Sequence, residues 1–284
     1  EVIGDFLDEY AAGRTPNPCL RCNERIKFAA LLEKGIALGY DAVATGHYAR
    51  LVQGDGVIEL HRAVDAAKDQ SYVLGVLDQS QLVHSLFPLG DSTKAEVRAE
   101  AAQLGLLVAD KPDSVDICFI PEGDTAGFLT DKLGAAPGPI VDMAGNRLGD
   151  HAGIFRYTIG QRKGLNLGIP SVSGRPRYVV GIDPASATVT VGDAEHLEVN
   201  LLTGIRATWT QAPVLGSWSG QVQVRAHAAP VAATITAHGE GLEIATEQPL
   251  RGVAPGQYAV CYDDDRVVGS CVIATTARRG VGVS

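Results

Sequence analysis

Residues 13–28 read Gly-Arg-Thr-Pro-Asn-Pro-Cys-Leu-Arg-Cys-Asn-Glu-Arg-Ile-Lys-Phe. Pro16 and Pro18 push the residues before them into extended backbone, so the stretch reads as a rigid loop running into a helix over 24–38. Asn23 is the expected cap of that helix, and Ile26, Leu31, Leu32 and Ile36 recur along one face of it. Cys19 and Cys22 form a C-x-x-C pair beside the helix start. The helix dipole, with Arg21 and Arg25 nearby, favours a thiolate there. Such a pair serves as a redox couple, half of a zinc site or part of an iron–sulfur site. No second C-x-x-C or paired-histidine motif completes a four-ligand zinc set, and two ordinary loop thiols are an open reading as well.

Outward from this stretch the chain first reads as α/β. A helix carrying Val2, Ile3, Phe6, Leu7 and Tyr10 precedes it, closed by Gly13. Residues 41–45 read as a short buried strand, and 49–64 as a hairpin around Gly54-Asp55-Gly56. Thr93 and Glu96 form a capping box for a helix with Val97, Ala101 and Leu104 inward. Residues 115–120 read as a strand, and 124–132 as a helix before Gly134. Residues 135–139 then read as a linker, followed by short strands and many glycines, with a hairpin at Ala144-Gly145-Asn146. Past residue 198 the pattern is all β, which suggests a small barrel or sandwich. The expected domains are 1–134, 135–197 and 198–284.

The 284 residues are 45% hydrophobic and 20% charged, a composition that supports packed cores rather than disorder. No run approaches the roughly 18–20 apolar residues of a membrane span, so no membrane partner is expected. The N-terminus lacks a basic region followed by an apolar one, so no signal peptide is read. It also lacks a starting Met and opens inside a helical pattern, which points to a fragment of a longer chain. Five cysteines without a secretory signal point to a reducing, cytoplasmic setting. Net charge is −9, against nucleic-acid binding in bulk, yet residues 147–177 carry +5 (Arg147, Arg156, Arg162, Lys163, Arg175 and Arg177 against Asp150). A short positive segment in an acidic protein marks either a phosphate-contacting surface or a solvated face balanced by acidic neighbours.

Other candidates are weaker singly. By spacing alone Cys118 reads as a buried strand cysteine, and Cys261 and Cys271 as core residues of alternating strands. Gly46 and His47 follow the 41–45 strand, and the carboxyl ends of strands are where ligands bind in open α/β sheets. Gly46 admits a close approach to the backbone, and His47 suits contact with phosphate or base. Lys68, Asp69 and Gln70 mix charge and amide in a loop. Residues 156–164, which include Arg162 and Lys163, combine cations, an aromatic and glycines in a way that suits sugar-phosphate contact.

Together these segments resemble one family, the tRNA-specific 2-thiouridylases. The matching stretches are GRTPNPCLRCNERIKF (13–28), ATGHYAR (44–50), KDQSYVL (68–74), DSVDICFIPEG (113–123), GIFRYTIGQRKGL (153–165) and APGQYAVCY (254–262), in the family's order along nearly the whole chain. The resemblance implies an α/β PP-loop ATP-pyrophosphatase (HUP-like) domain, a small mixed central domain and a C-terminal all-β barrel. It implies ATP-dependent, Mg2+-assisted 2-thiolation of the wobble uridine (U34) of tRNAs of the Lys, Glu and Gln type, with sulfur from a persulfide donor protein. The target base must leave its stack to react. By position, Cys118 corresponds to the persulfide carrier and Cys22 to its partner nucleophile, the two ending as a Cys22–Cys118 disulfide. Gly46 corresponds to an ATP contact. Asn17, Pro18 and Cys19 correspond to the loop meeting the target base, and His47, Lys68, Asp69, Gln70, Arg225 and Gln257 to tRNA contacts.

Two departures from the family pattern stand out. The S-G-G-x-D-S-S phosphate loop is absent, so the HUP-like domain reads as N-terminally truncated, and the chain as given is expected to bind ATP poorly and be inactive. Cys19 stands where some members carry an acidic residue. With Cys22 and Cys118 it supplies three thiolates, an alternative [4Fe–4S] ligand set and otherwise no metal site. A non-catalytic tRNA-binding remnant and a zinc protein on Cys19 and Cys22 are the competing readings.

Overall fold

The protein is described by a computed structural model covering residues 1–112, 117–120, 123–167 and 174–280. Helix α1 (Val2–Ala11) buries Phe6 and Tyr10. Helix α2 (Pro18–Cys22) starts at Asn17, whose Oδ1 accepts from the backbone N–H groups of Cys19 (3.2 Å) and Leu20 (3.4 Å). Pro18 takes the first helical position, where its missing N–H costs nothing and its fixed φ suits the helix. The loop expected over 18–22 is therefore already helical, and the cap is Asn17, not Asn23. A π-helical stretch (Asn23–Ala30) continues α2 into α3 (Leu31–Ala37). Asn23 lies inside, 1% exposed, and donates from Nδ2 to the carbonyl of Val73 at 2.8 Å.

Strand β1 (Val43–Ala44) pairs in parallel with β4 (Ser85–Leu86). It is partly exposed, not the buried strand expected of 41–45. Strands β2 (Ala49–Gln53) and β3 (Ile58–Arg62) form the expected hairpin. Helices α4 (Ser71–Leu74) and α5 (Gln79–Leu82) cover it. Helix α6 (Lys94–Gln103) starts at the Thr93–Glu96 capping box but buries no residue, against the inward Val97, Ala101 and Leu104 expected. Residues 117–120 form a turn closed by the Ile120 N–H on the Ile117 carbonyl, not a strand, and 113–116 lie outside the described residues. Helix α7 (Thr125–Leu133) follows its Asp124 cap.

A four-stranded sheet comes next: β5 (Gly138–Val141), β6 (Arg147–His151), β7 (Tyr178–Asp183) and β8 (Thr188–Gly192), in the order β6-β5-β8-β7. The β5–β6 turn needs Gly145 at φ +85°, as an Ala-Gly-Asn tip suggests. The last six strands are β9 (Glu198–Trp209), β10 (Ser217–Gln223), β11 (Val231–His238), β12 (Gly241–Arg251), β13 (Tyr258–Asp263) and β14 (Arg266–Ala277). They run β13-β10-β11-β12-β9-β14 and close through the β13–β14 pairing, so the barrel has no free edge. Cys261 and Cys271 fill its interior with Leu202, Ile235, Ile244 and Ile273.

The hairpin β2–β3 docks on the barrel through one register pair, His61 with Arg266. Behind that seam Leu20, Phe28, Leu60 and Tyr72 share a core with Val260 and Tyr262 of β13. A second shared core joins α1 (Phe6, Tyr10), the 117–120 turn (Ile120), α7 (Leu129) and Phe155. These two cores fix the thiol-bearing segments.

Candidate functional site

Helix α2 turns Leu20 (0% exposed) and Arg21 (6%) inward, which leaves Cys19 exposed and Cys22 half-buried. Arg21 is held by Asp5 (3.1 Å) and Glu24 (2.8 Å), so its charge serves the α1–α2 contact. Across from α2, Phe119 packs edge-on against Phe6 at 5.3 Å, and Ile117 joins the same cluster. Cys118, between those two anchors, is left exposed. The buried strand cysteine expected from spacing is thus a surface thiol on a turn, because 117–120 anchors through its apolar neighbours.

Cys19, Cys22 and Cys118 come together here. Although Cys19 reaches solvent, partial desolvation by the packed junction around it pushes its thiol up, and the nearby Cys118 and Cys22 push it up further, while Lys27 pulls it down. The thiolate expected of Cys19 from the helix dipole and the arginines is therefore disfavoured. All five cysteines are free thiols, so Cys22 and Cys118 are not joined. Among the described residues no three His, Cys, Asp or Glu side chains are placed to hold a metal ion, so the trio does not fit a cluster in this arrangement.

His47 forms the wall beside Lys27. It is 9% exposed, with Nδ1 2.7 Å from Thr45 Oγ1 and Nε2 3.5 Å from Lys27 Nζ. Lys27 can only donate, so Nε2 carries the lone pair and Nδ1–H points at Thr45. Burial and the Lys27 charge lower the His47 pKa to about 4. The imidazole is neutral at physiological pH. Gly46 lies exposed after β1, and a Cβ there would meet only Leu89, at 3.7 Å.

The remaining candidates hold the fold around these groups. Asp69 accepts from Arg62 (2.9 Å), the Ala63 N–H (3.0 Å) and Ser71 Oγ (2.8 Å). Gln70 Oε1 accepts from the Tyr48 N–H at 2.9 Å, and the Lys68 N–H closes a turn on Asp65 at 2.9 Å. Gln257 Nε2 donates to the carbonyls of Thr15 (2.7 Å) and Pro16 (3.3 Å). The Thr15 N–H donates to Pro255 at 2.9 Å, and Thr15 Oγ1 meets Thr158 Oγ1 at 3.2 Å. One loop, 13–18, thus touches both 153–165 and 254–262. Arg225 donates to the Gly252 carbonyl. Arg162 and Lys163 are exposed on the basic segment of the central domain.

Sequence reasoning missed Lys27 and Thr45. The available signal for Lys27 was its spacing of eight from Cys19, two turns along a helix, but that requires the helix to begin at Asn17. Among the described residues no helix is long and apolar enough to cross a membrane.

Three family models match in series: a tRNA methyl transferase HUP domain over residues 1–122, a tRNA methyl transferase PRC-barrel domain over 126–193 and an aminomethyltransferase beta-barrel domain over 199–273. The chain is 61% identical over 282 residues to the tRNA-specific 2-thiouridylase MnmA of Acidothermus cellulolyticus, covering 99% of this chain and 78% of that protein. It is 61% identical to the enzyme of the same name from Cutibacterium acnes (99% and 77% covered). It is 58% identical to that of Streptomyces coelicolor (100% and 76% covered). With its HUP, PRC-barrel and β-barrel domains in series, the chain belongs to the tRNA-specific 2-thiouridylase family.

Proposed function

We propose that the protein is a tRNA-uridine 2-sulfurtransferase acting on the wobble uridine in the cytoplasm. The observation that carries the reading is the meeting of Cys19, Cys22 and Cys118 from segments almost a hundred residues apart in sequence. Methyl transfer, which two of the family models' names mention, gives no role to three converging thiols.

In this reading ATP, bound with Mg2+ near Gly46, adenylates the uridine C2 oxygen and releases pyrophosphate. The outer sulfur of a Cys118 persulfide attacks C2, the C2–O bond breaks and AMP leaves. The Cys22 thiolate then attacks Cys118 Sγ. The S–S bond to the substrate sulfur breaks, 2-thiouridine is released and a Cys22–Cys118 disulfide forms. A thiol reductant restores both cysteines, and a persulfide donor protein reloads Cys118. The exposure of Cys118 supports loading from a protein donor, and the half-burial of Cys22 supports an attack shielded from competing oxidants.

Asn17, Pro18 and Cys19 face the target base in this reading. The loop that leads into them is fixed at Thr15 and Pro16 by Thr158, Pro255 and Gln257, as a base-positioning element requires. His47, Lys68, Asp69, Gln70, Arg225 and Gln257 border the RNA. Asp69, Gln70 and Gln257 do so while holding backbone, so they shape the surface more than they grip it. Residues 1–134 act as the catalytic unit, 135–197 as a tRNA-binding unit and 198–284 as the barrel. The substrates are tRNAs of the Lys, Glu and Gln type.

The test is ATP-dependent thiolation of a wobble-uridine tRNA transcript, run on this chain and on the chain extended by the in-frame coding sequence upstream of Glu1. Thiolation by the extended chain that vanishes in Cys118→Ser supports the reading. Full activity in that variant overturns the role of Cys118. Unchanged tRNA affinity with no thiolation by either form leaves the binding-remnant reading.

A further inference from the structure

The basic segment divides once its ion pairs are counted. Arg147 is held by Asp150, which neutralises both. Arg156, Arg162 and Lys163 are exposed and have no ion-pair partner among the described residues. Beside these three cations lies a cleft of about 370 Å³, between the end of β6, the 154–166 segment and α7. Tyr157 and Leu165 give it apolar walls, and Gln161 and Asn166 line it as well. Gln161 is fixed, its Oε1 accepting from the Thr158 N–H (3.0 Å) and its Nε2 donating to the Lys163 carbonyl (3.1 Å).

His151 lines the same cleft and is 6% exposed. Its Nε2 donates to the Ala187 carbonyl at 2.9 Å, while Nδ1 is buried with no partner. Because Nε2 carries the proton, Nδ1 is an unmet acceptor. Burial lowers the His151 pKa, which keeps that acceptor a lone pair rather than a second N–H. An unmet buried acceptor costs free energy until a donor reaches it. The cleft thus offers a ring-sized space, an aromatic wall, the side chains of Gln161 and Asn166 and a fringe of free cations.

We propose that this cleft takes one unstacked ribonucleotide of the bound RNA, distinct from the base that reacts at the thiols. Its base lies against Tyr157, its polar edge meets Asn166 of the lining, and the flanking phosphates meet Arg156, Arg162 and Lys163. RNA readout works in this way, on splayed bases stacked against aromatics and on the 2′-hydroxyl. The inference rests on the tRNA reading above.

The probe is an unmodified wobble-uridine tRNA transcript, with affinities measured over a range of salt. Ala152→Phe and Ala126→Phe each add a ring to the cleft's lining and change no charge. Each is expected to weaken binding about ten-fold with the salt slope unchanged, since only a stacked base is lost. Arg162→Ala and Lys163→Ala are each expected to flatten the slope by about one. An abasic scan of the transcript, which needs no protein variant, should find one position outside the wobble base whose loss matches Ala152→Phe and does not add to it. A scan with no such position, or cleft-filled variants that bind within two-fold of the parent, overturns the nucleotide cleft and leaves tRNA binding standing. Failure of the unaltered chain to bind the transcript at about 0.1 M salt overturns the tRNA reading itself.

Discussion

The molecule holds two sets of cysteines that chemistry treats oppositely. Cys261 and Cys271 sit on paired strands of the barrel, 1% and 0% exposed. Burial pushes Cys271 up to about 12 and Cys261 well above its ordinary value. Neither forms a thiolate at physiological pH, and both behave as small apolar groups. Cys19, Cys22 and Cys118 reach solvent at the meeting of α1, α2 and the 117–120 turn. In the barrel the thiols complete a core that closes without them doing chemistry. At the helix junction they are the residues left outside when their neighbours pack. Reactivity here follows from which side chains the core claims first.

The sharpest way to break this comparison is to exchange the consequences. Cys118→Ser is expected to abolish sulfur transfer while leaving tRNA affinity within a few-fold. Cys261→Ala is expected to keep the transfer rate within about two-fold and to lower stability by about 1 kcal/mol through the small cavity. Transfer assays and denaturant melts on both variants check it. Comparable activity losses would mean that the two sets are not functionally distinct.

Alkylation reads the same contrast without an activity assay. At pH 8 iodoacetamide followed by peptide mass spectrometry should label Cys118 and Cys22 at least about a hundred-fold faster than Cys261 and Cys271, because the thiolate is the reacting species and only the first pair is reachable. Labelling of the barrel pair should appear only with global unfolding. Early labelling of Cys271 would show that the barrel opens locally.

Crowding sharpens the barrel side. A Cβ on Gly204 would lie 2.0 Å from Cys271 Sγ and 2.8 Å from its Cβ, inside a filled core. Gly204→Ala is therefore expected to cost about 1–3 kcal/mol of stability in a denaturant melt, with the alkylation rates of Cys22 and Cys118 unchanged. A neutral result would mean that the sulfur swings aside into space the core does not show.

Much of this contrast was legible in the sequence. Alternation around Cys261 and Cys271 named them core residues, and the barrel followed from strand spacing. The meeting of Cys22 and Cys118 followed only from family resemblance, because spacing carries no information across almost a hundred residues. Three local readings failed for identifiable reasons. Pro18 reads as a breaker, although a first helical position tolerates it. Cys118 reads as a strand residue because Ile117, Phe119 and Ile120 look like a strand, yet they anchor a turn. The apolar residues of α6 and β1 read as buried, but period alone does not say whether a partner covers the face. Leu104 is 66% exposed and Leu107 fully so. The tie between loop 13–18 and Gln257 is a side-chain-to-backbone contact, which no sequence pattern encodes.

Lys27 gives the smallest effect and tests the helix junction alone. Its charge lowers the Cys19 pKa, where burial and Cys118 act more strongly, and lowers that of His47, where only burial does. Lys27→Met removes that charge but leaves the burial. Cys19 should then hold its proton more tightly and alkylate about two- to five-fold more slowly at pH 8. The His47 midpoint, seen by NMR of the ring protons, should rise from about 4. Stability moves with it. His47 is protonated in the unfolded chain below its ordinary value of 6.5 but stays neutral in the fold down to about 4. The folded state therefore loses stability as pH falls from 6.5 to 4, by no more than about 3 kcal/mol. In Lys27→Met that acid loss should shrink, by less than about 1 kcal/mol. The barrel thiols share no contact with Lys27, so their labelling should not change. A Cys19 rate that rises instead would mean that Lys27 shields the thiol more than it activates it, and the junction would owe its reactivity to exposure alone.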